Sequence, residues 1–170
     1  TMEKLLFVVM DGVGVGAHDD GDAVFNAYTP TLDRLMTENP NITIQAHGTA
    51  VGLPSDDDMG NSEVGHNALG SGQVYAQGAK LVNASIESGA IFESQTWHDL
   101  TEQTKHFHST LHFLGLLSDG NVHSNIAHLK ALLSRAKAEG VQRVRIHALL
   151  DGRDVPSTSA PQYVDELEQH

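Results

Sequence analysis

A serine in a glycine-rich segment is the side chain best placed for nucleophilic chemistry. Ser62 lies in the run Met59 to His66, where small residues precede it and a helix start is expected after it. The first N–H groups of a helix lack intrahelical partners and bind phosphate readily. Ser62 is therefore a candidate phosphoryl acceptor. The alternative is that Ser62 only caps the helix, a very common role for serine.

An aspartate near the N-terminus is a candidate ligand for a divalent cation. Asp11 follows the apolar run Leu5 to Met10 and precedes Gly12. In open α/β sheets, ligands gather at the carboxyl ends of strands, where this carboxylate is expected. A metal held by Asp11 close to Ser62 could deprotonate the serine hydroxyl and screen phosphoryl oxygens. The alternative is an ordinary Asp-Gly turn.

Three further candidates follow two apolar runs in the second half of the chain. His123 could hold or protonate a substrate, and Arg153 could bind a carboxylate or phosphate through two parallel hydrogen bonds. Asp154 could take a proton from a substrate hydroxyl. The alternatives are a solvent-exposed histidine and a surface ion pair of little energetic value.

Other groups of ionisable residues are weaker candidates for metal binding. The spacings of His106 with His108 and of His123 with His128 would suit a metal, but no third ligand is evident beside either pair. Solvated histidines are the better interpretation. The three aspartates at 56–58 lack the ligand spacing of an EF-hand and indicate a solvated acidic turn.

Weak periodicity characterises the first half of the chain. Residues 5–10 form a continuous apolar run, the pattern of a strand buried on both faces in a parallel sheet. Helices are predicted over residues 31–37 and 77–88, with a short strand over 41–46. The glycine-rich residues 48–72 are predicted to form a functional loop, or several tight turns around a short helix.

The second half predicts a β-loop-α-β-loop-α unit. Strands are expected over residues 110–117 and 144–150, and between them lies a helix that Ser124 can cap and Gly140 can end. A last helix begins near residue 159 or 161. Two strands joined through a helix are parallel, so the loops after them lie at the same edge of one sheet. The candidates of this half are therefore expected to converge.

The amino-acid composition excludes some classes of function and site. The chain has 170 residues, of which 39% are hydrophobic and 19% charged, as in globular proteins. Its formal net charge of −12 argues against a nucleic-acid partner, which would need a basic face. With no cysteine there is no disulfide or thiolate metal site, and we expect a cytoplasmic protein. The apolar run near the N-terminus is too short to span a membrane.

Several segments together resemble the signature segments of the cofactor-independent phosphoglycerate mutases. They occur in family order and at family spacing. They are Met10–Gly12, Ala46–Gly48 with Gly52–Pro54, Met59–His66, Leu116–Ser124 and Leu150–Val155. The resemblance implies an α/β fold in which residues 1–75 begin an alkaline-phosphatase-like parallel-sheet domain. Residues 76–170 would then begin an inserted α/β domain that binds the substrate.

The resemblance also implies a role for each candidate residue. Asp11 is similar to a metal-ligating aspartate, and Ser62 to the serine that accepts the phosphoryl group and contacts the same metal. His123, Arg153 and Asp154 resemble substrate-binding residues. The implied reaction interconverts 3-phosphoglycerate and 2-phosphoglycerate through phosphoserine, without 2,3-bisphosphoglycerate. Two divalent metals are implied, Mn²⁺ in the first place and Mg²⁺ or Co²⁺ as alternatives, in a monomeric parent with no membrane partner.

The chain departs from the family pattern in two ways. Asn121 stands where the family often has a glycine, although asparagine also tolerates left-handed backbone. The chain covers roughly the first third of a family member, so the remaining metal ligands and substrate arginines are expected downstream. Two alternatives stay open: a phosphatase- or sulfatase-type hydrolase of the same metal-dependent superfamily, and a fragment without catalytic activity.

Overall fold

The computed structural model describes residues 4–170 of the chain. Its helices and strands are α1 (Ala23–Asn26), α2 (Pro30–Glu38), α3 (Ser62–Ser71), α4 (Gly78–Glu87), α5 (Gln95–His106), β1 (Leu111–Leu117), α6 (Ile126–Ala138), β2 (Val144–Leu150) and α7 (Ala160–Glu168), with 3₁₀ turns at Gly48–Val51 and Ala90–Glu93. The chain divides into two compact units, one up to Ile44 and one from Gln45 onward. Between residues 4 and 170, no helix is both long and apolar enough to cross a membrane.

The first unit contains α1 and α2. The Asp22 carboxylate caps α1 by accepting the Phe25 N–H at 3.0 Å. Proline at the first position of α2 has no N–H to leave unpaired. This helix confirms the prediction over residues 31–37.

Two predicted strands of the N-terminal region are absent from the structure. Residues 5–10 and 41–46 are assigned no strand, and Leu5 is 91% exposed. A buried strand needs neighbouring strands for its backbone hydrogen bonds and layers that cover its faces. Within residues 4–170 only β1 and β2 form a sheet, so these two predictions were wrong for the chain as described.

The second unit is built around a parallel pair of strands. Strand β1 pairs with β2 in a register that places Leu111 beside Val144 and Leu117 beside Leu150. Helix α6 connects the two strands, and α7 follows β2. The predicted β-loop-α-β-loop-α unit and the α/β class are confirmed. Helix α4 confirms the prediction over residues 77–88, and Gly89 follows it with a left-handed φ of 79°.

The largest core of the second unit lies beneath the start of β1. It buries five side chains at the meeting of the second 3₁₀ turn, α5, β1 and α6: Phe92, Trp97, Leu111, Ala136 and Val141. Trp97 also donates its indole N–H to Glu139 at 2.9 Å, which satisfies its only polar group. This core fixes the amino-terminal end of β1. A smaller cluster of Leu117, Ile126 and Tyr163 packs at the opposite end of the strand.

The cap of α6 differs from the prediction. Asn125, not Ser124, precedes the helix and accepts the Ala127 N–H at 2.8 Å. Ser124 instead donates its hydroxyl to the carbonyl oxygen of Leu116 at 2.5 Å. Both residue types are strong caps, and the bond back to β1 decides between them because it turns Ser124 away from the helix.

Candidate functional site

The segment before Ser62 is held close to residues 46 and 47. The Gly60 N–H donates to His47 Nδ1 at 2.8 Å, so the proton of this neutral ring lies on Nε2. A Cβ atom at Gly60 would come within 1.8 Å of the Ala46 carbonyl oxygen. Only glycine fits this close approach of two backbones.

We expect Gly60→Ala to destabilise the second unit by about 2–4 kcal/mol, because backbone atoms cannot move aside as a flexible side chain can. Gly65→Ala is the matched control. It lies inside α3, and a Cβ there would meet no atom within 4 Å. The control should gain about 0.5–1 kcal/mol from helix propensity. Urea unfolding followed by tryptophan fluorescence compares the variants, and equal midpoints would contradict the close approach.

Ser62 occupies the first position of α3 with its side chain exposed. The capping role belongs to Asn61, whose Oδ1 accepts the Val64 N–H at 3.0 Å. The Ser62 hydroxyl is therefore not used as the helix cap. It stands at the positive end of the helix dipole, where an added phosphoryl group would be stabilised.

His66 is a neighbour of Ser62 that the sequence analysis did not identify. Its Nδ1 lies 2.7 Å from the Ser62 carbonyl oxygen and 3.1 Å from Ser62 Oγ. A carbonyl oxygen only accepts, so the shorter contact places a proton on Nδ1. The i, i+4 spacing within a helix was the available signal.

In the acidic run 56–58, the carboxylates of Asp56 and Asp58 accept hydrogen bonds from neighbouring residues. Asp56 accepts the Thr49 hydroxyl at 2.5 Å and the Thr49 N–H at 3.1 Å, and the hydroxyl bond is the main cause that lowers the pKa of Asp56. Asp58 accepts the Ser55 N–H at 2.8 Å. These bonds fix the turn that leads toward Ser62.

The loops that follow β1 and β2 are in contact, which confirms their predicted convergence. Ser118 donates its hydroxyl to Asp151 Oδ2 at 2.6 Å. A Cβ atom at Gly120 would lie 2.6 Å from the Cβ of Asp154. The loop of His123 and the loop of Arg153 therefore pack directly on each other.

Asp151 organises this pair of loops from a buried position. It is 6% exposed, and its Oδ1 accepts the N–H groups of Arg153 at 3.0 Å and Asp154 at 3.1 Å. The Ser118 hydroxyl bond, followed by the Arg153 N–H, lowers the pKa of the Asp151 carboxyl. Asp151 lies in the signature segment Leu150–Val155, but no role was predicted for it from the sequence. An aspartate followed by glycine, two residues before Arg153, was the available signal.

We expect Asp151→Asn to lower the free energy of unfolding at neutral pH by about 2 kcal/mol, the typical value of a charged hydrogen bond. Because its folded pKa is depressed, the carboxylate contributes stability above the unfolded pKa of about 4 and loses it as pH falls through the folded pKa. The variant should therefore show a weaker acid dependence of stability. Urea titrations at neutral and acid pH test this, with exposed Asp57→Asn as control. Identical acid dependence in the three proteins would contradict the role.

Tyr163 holds the loop after β1 from the opposite side. This buried residue of α7 donates its hydroxyl to Asp119 Oδ1 at 2.5 Å. That bond, and then burial, raises the pKa of the phenol. The loop carrying His123 is thus fastened both to the loop after β2 and to α7.

The three substrate-binding candidates lie on the two loops that Asp151 and Tyr163 hold in place. His123 and Arg153 are exposed, and Asp154 is half-buried. The three ion pairs found within residues 4–170 include neither Arg153 nor Asp154. Arg153 and Asp154 therefore do not form the surface ion pair of the alternative interpretation. His123 also borders a cavity of about 190 Å³ between α4 and the loop after β1.

One of the two histidine pairs considered for metal binding consists of His123, on the loop after β1, and His128 of α6. His128 Nε2 lies 2.5 Å from Asn83 Oδ1, and burial lowers the pKa of this histidine. Of the other pair, His106 ends α5 and His108 follows this helix. No group of three or more potential metal ligands is found within the described residues.

Asp11 lies in the first unit, in a turn that Gly12 continues with a φ of 76°. This is the Asp-Gly turn of the alternative interpretation. The carboxylate is exposed. Such a turn needs the positive φ of Gly12 and not the side chain of Asp11. The carboxylate oxygens of Asp11 therefore stay available as metal ligands.

Comparisons with known proteins agree on one family. The sequence model described as "BPG-independent PGAM N-terminus" matches residues 82–170. A probable 2,3-bisphosphoglycerate-independent phosphoglycerate mutase of Leptospira interrogans is 54% identical over 97% of this chain and 30% of its own length. The enzyme of that name from Trypanosoma brucei brucei is 52% identical over 98% of this chain and 30% of its own length.

A solved structure is similar as well. The Leishmania mexicana phosphoglycerate mutase, crystallised at low cobalt concentration, matches with a TM-score of 0.81 and 51% identity over 95% of this chain and 30% of that one. The chain thus spans about 30% of the length of these relatives. On the matching family model and the identity to these relatives, the chain belongs to the 2,3-bisphosphoglycerate-independent phosphoglycerate mutases and corresponds to their N-terminal portion.

Proposed function

We propose that this chain supplies the phosphoryl-accepting part of an enzyme that interconverts 3-phosphoglycerate and 2-phosphoglycerate without 2,3-bisphosphoglycerate. The observation that carries the proposal is the position of Ser62. Its hydroxyl is exposed at the first position of α3 while Asn61 performs the capping. Family membership supports the same reaction, which the relatives' names describe.

The reaction takes place in two transfers at Ser62. In the first, the Ser62 hydroxyl loses its proton and its Oγ attacks the phosphorus of 3-phosphoglycerate, while the bond to the 3-oxygen breaks and that oxygen takes up a proton. In the second, the 2-hydroxyl of the retained glycerate attacks the same phosphorus, and the Ser62 oxygen leaves and regains its proton. The N-terminus of α3 stabilises the phosphorylated serine between the two transfers.

We assign substrate binding to the two loops that Asp151 joins. Arg153 binds the carboxylate or phosphate of the substrate, and His123 holds the opposite end of the glycerate. Asp154 takes the proton from the hydroxyl that attacks. The bonds that Asp151 accepts from the backbone N–H groups of Arg153 and Asp154 support these roles, because they fix the backbone that carries these two side chains.

We propose that Asp11 and Ser62 are ligands of a divalent cation. A carboxylate and a hydroxyl are oxygen donors, and oxygen donors suit hard ions such as Mn²⁺ and Mg²⁺. A bound cation lowers the pKa of a coordinated hydroxyl and screens phosphoryl charge. We propose manganese as the preferred ion, with magnesium or cobalt as alternatives, and two metals in the complete site. The further ligands would come from sequence beyond this chain.

Three wider features belong to the same proposal. Residues 1–75 would begin the phosphatase-like domain and residues 76–170 the inserted substrate domain, and the family match that starts at residue 82 supports a boundary near there. The absence of cysteine supports a cytoplasmic enzyme. We propose that the complete protein is a monomer acting on a small-molecule substrate.

A catalytically incomplete chain is the second candidate, for these residues in isolation. Leu114 and Leu149 are 74% and 53% exposed on one face of the sheet. Apolar groups in such positions are normally covered by other elements. In isolation the chain would then fold in part and bind substrate weakly, without turnover.

Metal removal tests the proposed function in the full-length protein. We expect chelation by EDTA to reduce conversion of 3-phosphoglycerate to background, because Ser62 loses the activation that a cation provides. Manganese should restore it without 2,3-bisphosphoglycerate. The same assay on residues 1–170 should show no turnover. Release of inorganic phosphate without 2-phosphoglycerate would indicate a hydrolase instead, and turnover that persists in EDTA would contradict the metal mechanism.

A further inference from the structure

One hydrogen bond joins the segment before Ser62 to the loop before His123. Asn121 donates its side-chain N–H to Asp58 Oδ1 at 2.8 Å across 63 residues of sequence. Asp58 lies four residues before Ser62, and Asn121 lies two residues before His123. The bond therefore connects the proposed phosphoryl acceptor to the proposed substrate loop.

Both the backbone conformation and the side chain of Asn121 contribute to this bridge, the hydrogen bond between Asn121 and Asp58. The residue has a left-handed φ of 61°, which asparagine tolerates better than most residues. Its Oδ1 accepts the Asn125 side-chain N–H at 2.6 Å, and Asn125 caps α6. Glycine would also adopt this backbone conformation but would supply no amide. The side chain thus adds a connection that runs from Asp58 to the start of α6.

On the other side of the bridge, Asp58 is fixed by bonds that leave Oδ1 to Asn121. Its Oδ2 accepts the Ser55 N–H at 2.8 Å and the Ser55 hydroxyl at 3.0 Å. Its carbonyl oxygen accepts the Gly48 N–H at 3.0 Å. Asp58 is thus held by three other contacts, two to its carboxylate and one to its backbone, and it cannot follow Asn121 if the loop moves. The bridge therefore fixes the position of the loop relative to the segment before Ser62.

We propose that Asn121 is a positioning residue that sets the distance between the serine segment and the substrate loop while Ser62 carries the phosphoryl group. The inference rests on the proposed function. During that interval the phosphorus can be attacked by the 2-hydroxyl, which returns the group to glycerate and frees Ser62. It can also be attacked by water, which forms inorganic phosphate and likewise frees Ser62. A fixed loop keeps the glycerate hydroxyl in the attacking position.

The partition between these two outcomes is the quantity to measure in the full-length protein. Asn121→Gly retains the left-handed backbone and removes the amide. We expect the ratio of inorganic phosphate to 2-phosphoglycerate to rise roughly tenfold, near the lower end of what one hydrogen bond to a charged group contributes, because the bridge is only part-buried. Asp58→Ala should give a similar rise, and the double variant should rise no further, because both changes remove the same bond. Asp57→Ala, an exposed neighbour, is the control and should leave the ratio unchanged.

Amide hydrogen exchange separates this inference from the proposed function. In the full-length protein, Asn121→Gly should increase exchange of the amides between residues 55 and 62 by up to roughly tenfold. Exchange that is unchanged in that segment, or an unchanged partition ratio in an active enzyme, overturns the positioning role. If Asn121→Gly increases exchange in that segment but the unsubstituted protein does not isomerise 3-phosphoglycerate, the bridge is supported and the proposed function is overturned.

Discussion

Ser62→Ala is expected to lower mutase turnover of the full-length protein by about 10⁴-fold or more, because it removes the oxygen that we propose as the phosphoryl acceptor. The substitution should leave the fold unchanged. Ser62 does not cap α3, and its Oγ contacts only the ring of His66 among the bonds found within residues 4–170. Coupled assays of 2-phosphoglycerate formation and a thermal melt of each protein measure the two effects.

Ser71→Ala provides the matched control for this substitution. Ser71 ends the same helix and donates its hydroxyl only to nearby carbonyl groups, those of Ala68 and Gln73. We expect this variant to keep full turnover with a change in stability of about 1 kcal/mol or less. Retention of more than a small fraction of turnover in Ser62→Ala would assign the nucleophile to another residue.

Arg153→Ala is expected to lower kcat/KM by roughly 10²- to 10³-fold, since it removes the charged donor that we propose binds the substrate anion. The loop itself should persist. Its backbone is held by Asp151, which accepts the N–H groups of residues 153 and 154. Steady-state kinetics with 3-phosphoglycerate measure the loss, and unchanged urea unfolding of the variant excludes a general loss of structure.

Arg145→Ala is the control for the loss of positive charge. Arg145 is an exposed residue of β2 that donates to the neighbouring carbonyl of Val144. We expect kcat/KM to change less than about threefold in this variant, because exposed charges away from the site are screened. Equal effects of the two substitutions would mean that Arg153 acts through net charge and not through contact with the substrate.

The elements of the β1-α6-β2 unit could be predicted from sequence because their periodicity is strong. Segments rich in apolar residues indicated both strands, and helical spacing of apolar residues indicated α6. The cap of α6 could not be chosen by residue type, since Ser124 and Asn125 are both good caps. The bond from Ser124 to β1, a tertiary contact, made the choice.

Helix α5 was not predicted because its buried face carries threonines. It buries Trp97, Thr101 and Thr104. The hydroxyls of Thr101 and Thr104 donate back to the carbonyl oxygens of Trp97 and Leu100, so the threonines enter the core without unpaired groups. A search for apolar periodicity does not detect such a face.

Prediction of the site depended on the kind of contact involved. The convergence of the two loops followed from parallel topology, which sequence indicates well. The contacts of His66, Asp151 and Asn121 did not, because they depend on side-chain directions set by neighbouring segments. The expected strand over residues 5–10 failed for a related reason, since the sequence of a strand cannot supply its partners.

Direct mapping of the phosphorylated residue tests the central claim. The full-length protein would be incubated with radiolabelled 3-phosphoglycerate and manganese, quenched in acid during turnover, digested and analysed by mass spectrometry. We expect phosphate on Ser62 and, in Ser62→Ala, no labelled peptide. Label on any other residue, or turnover without a labelled enzyme, would contradict the assignment of Ser62 as the phosphoryl acceptor.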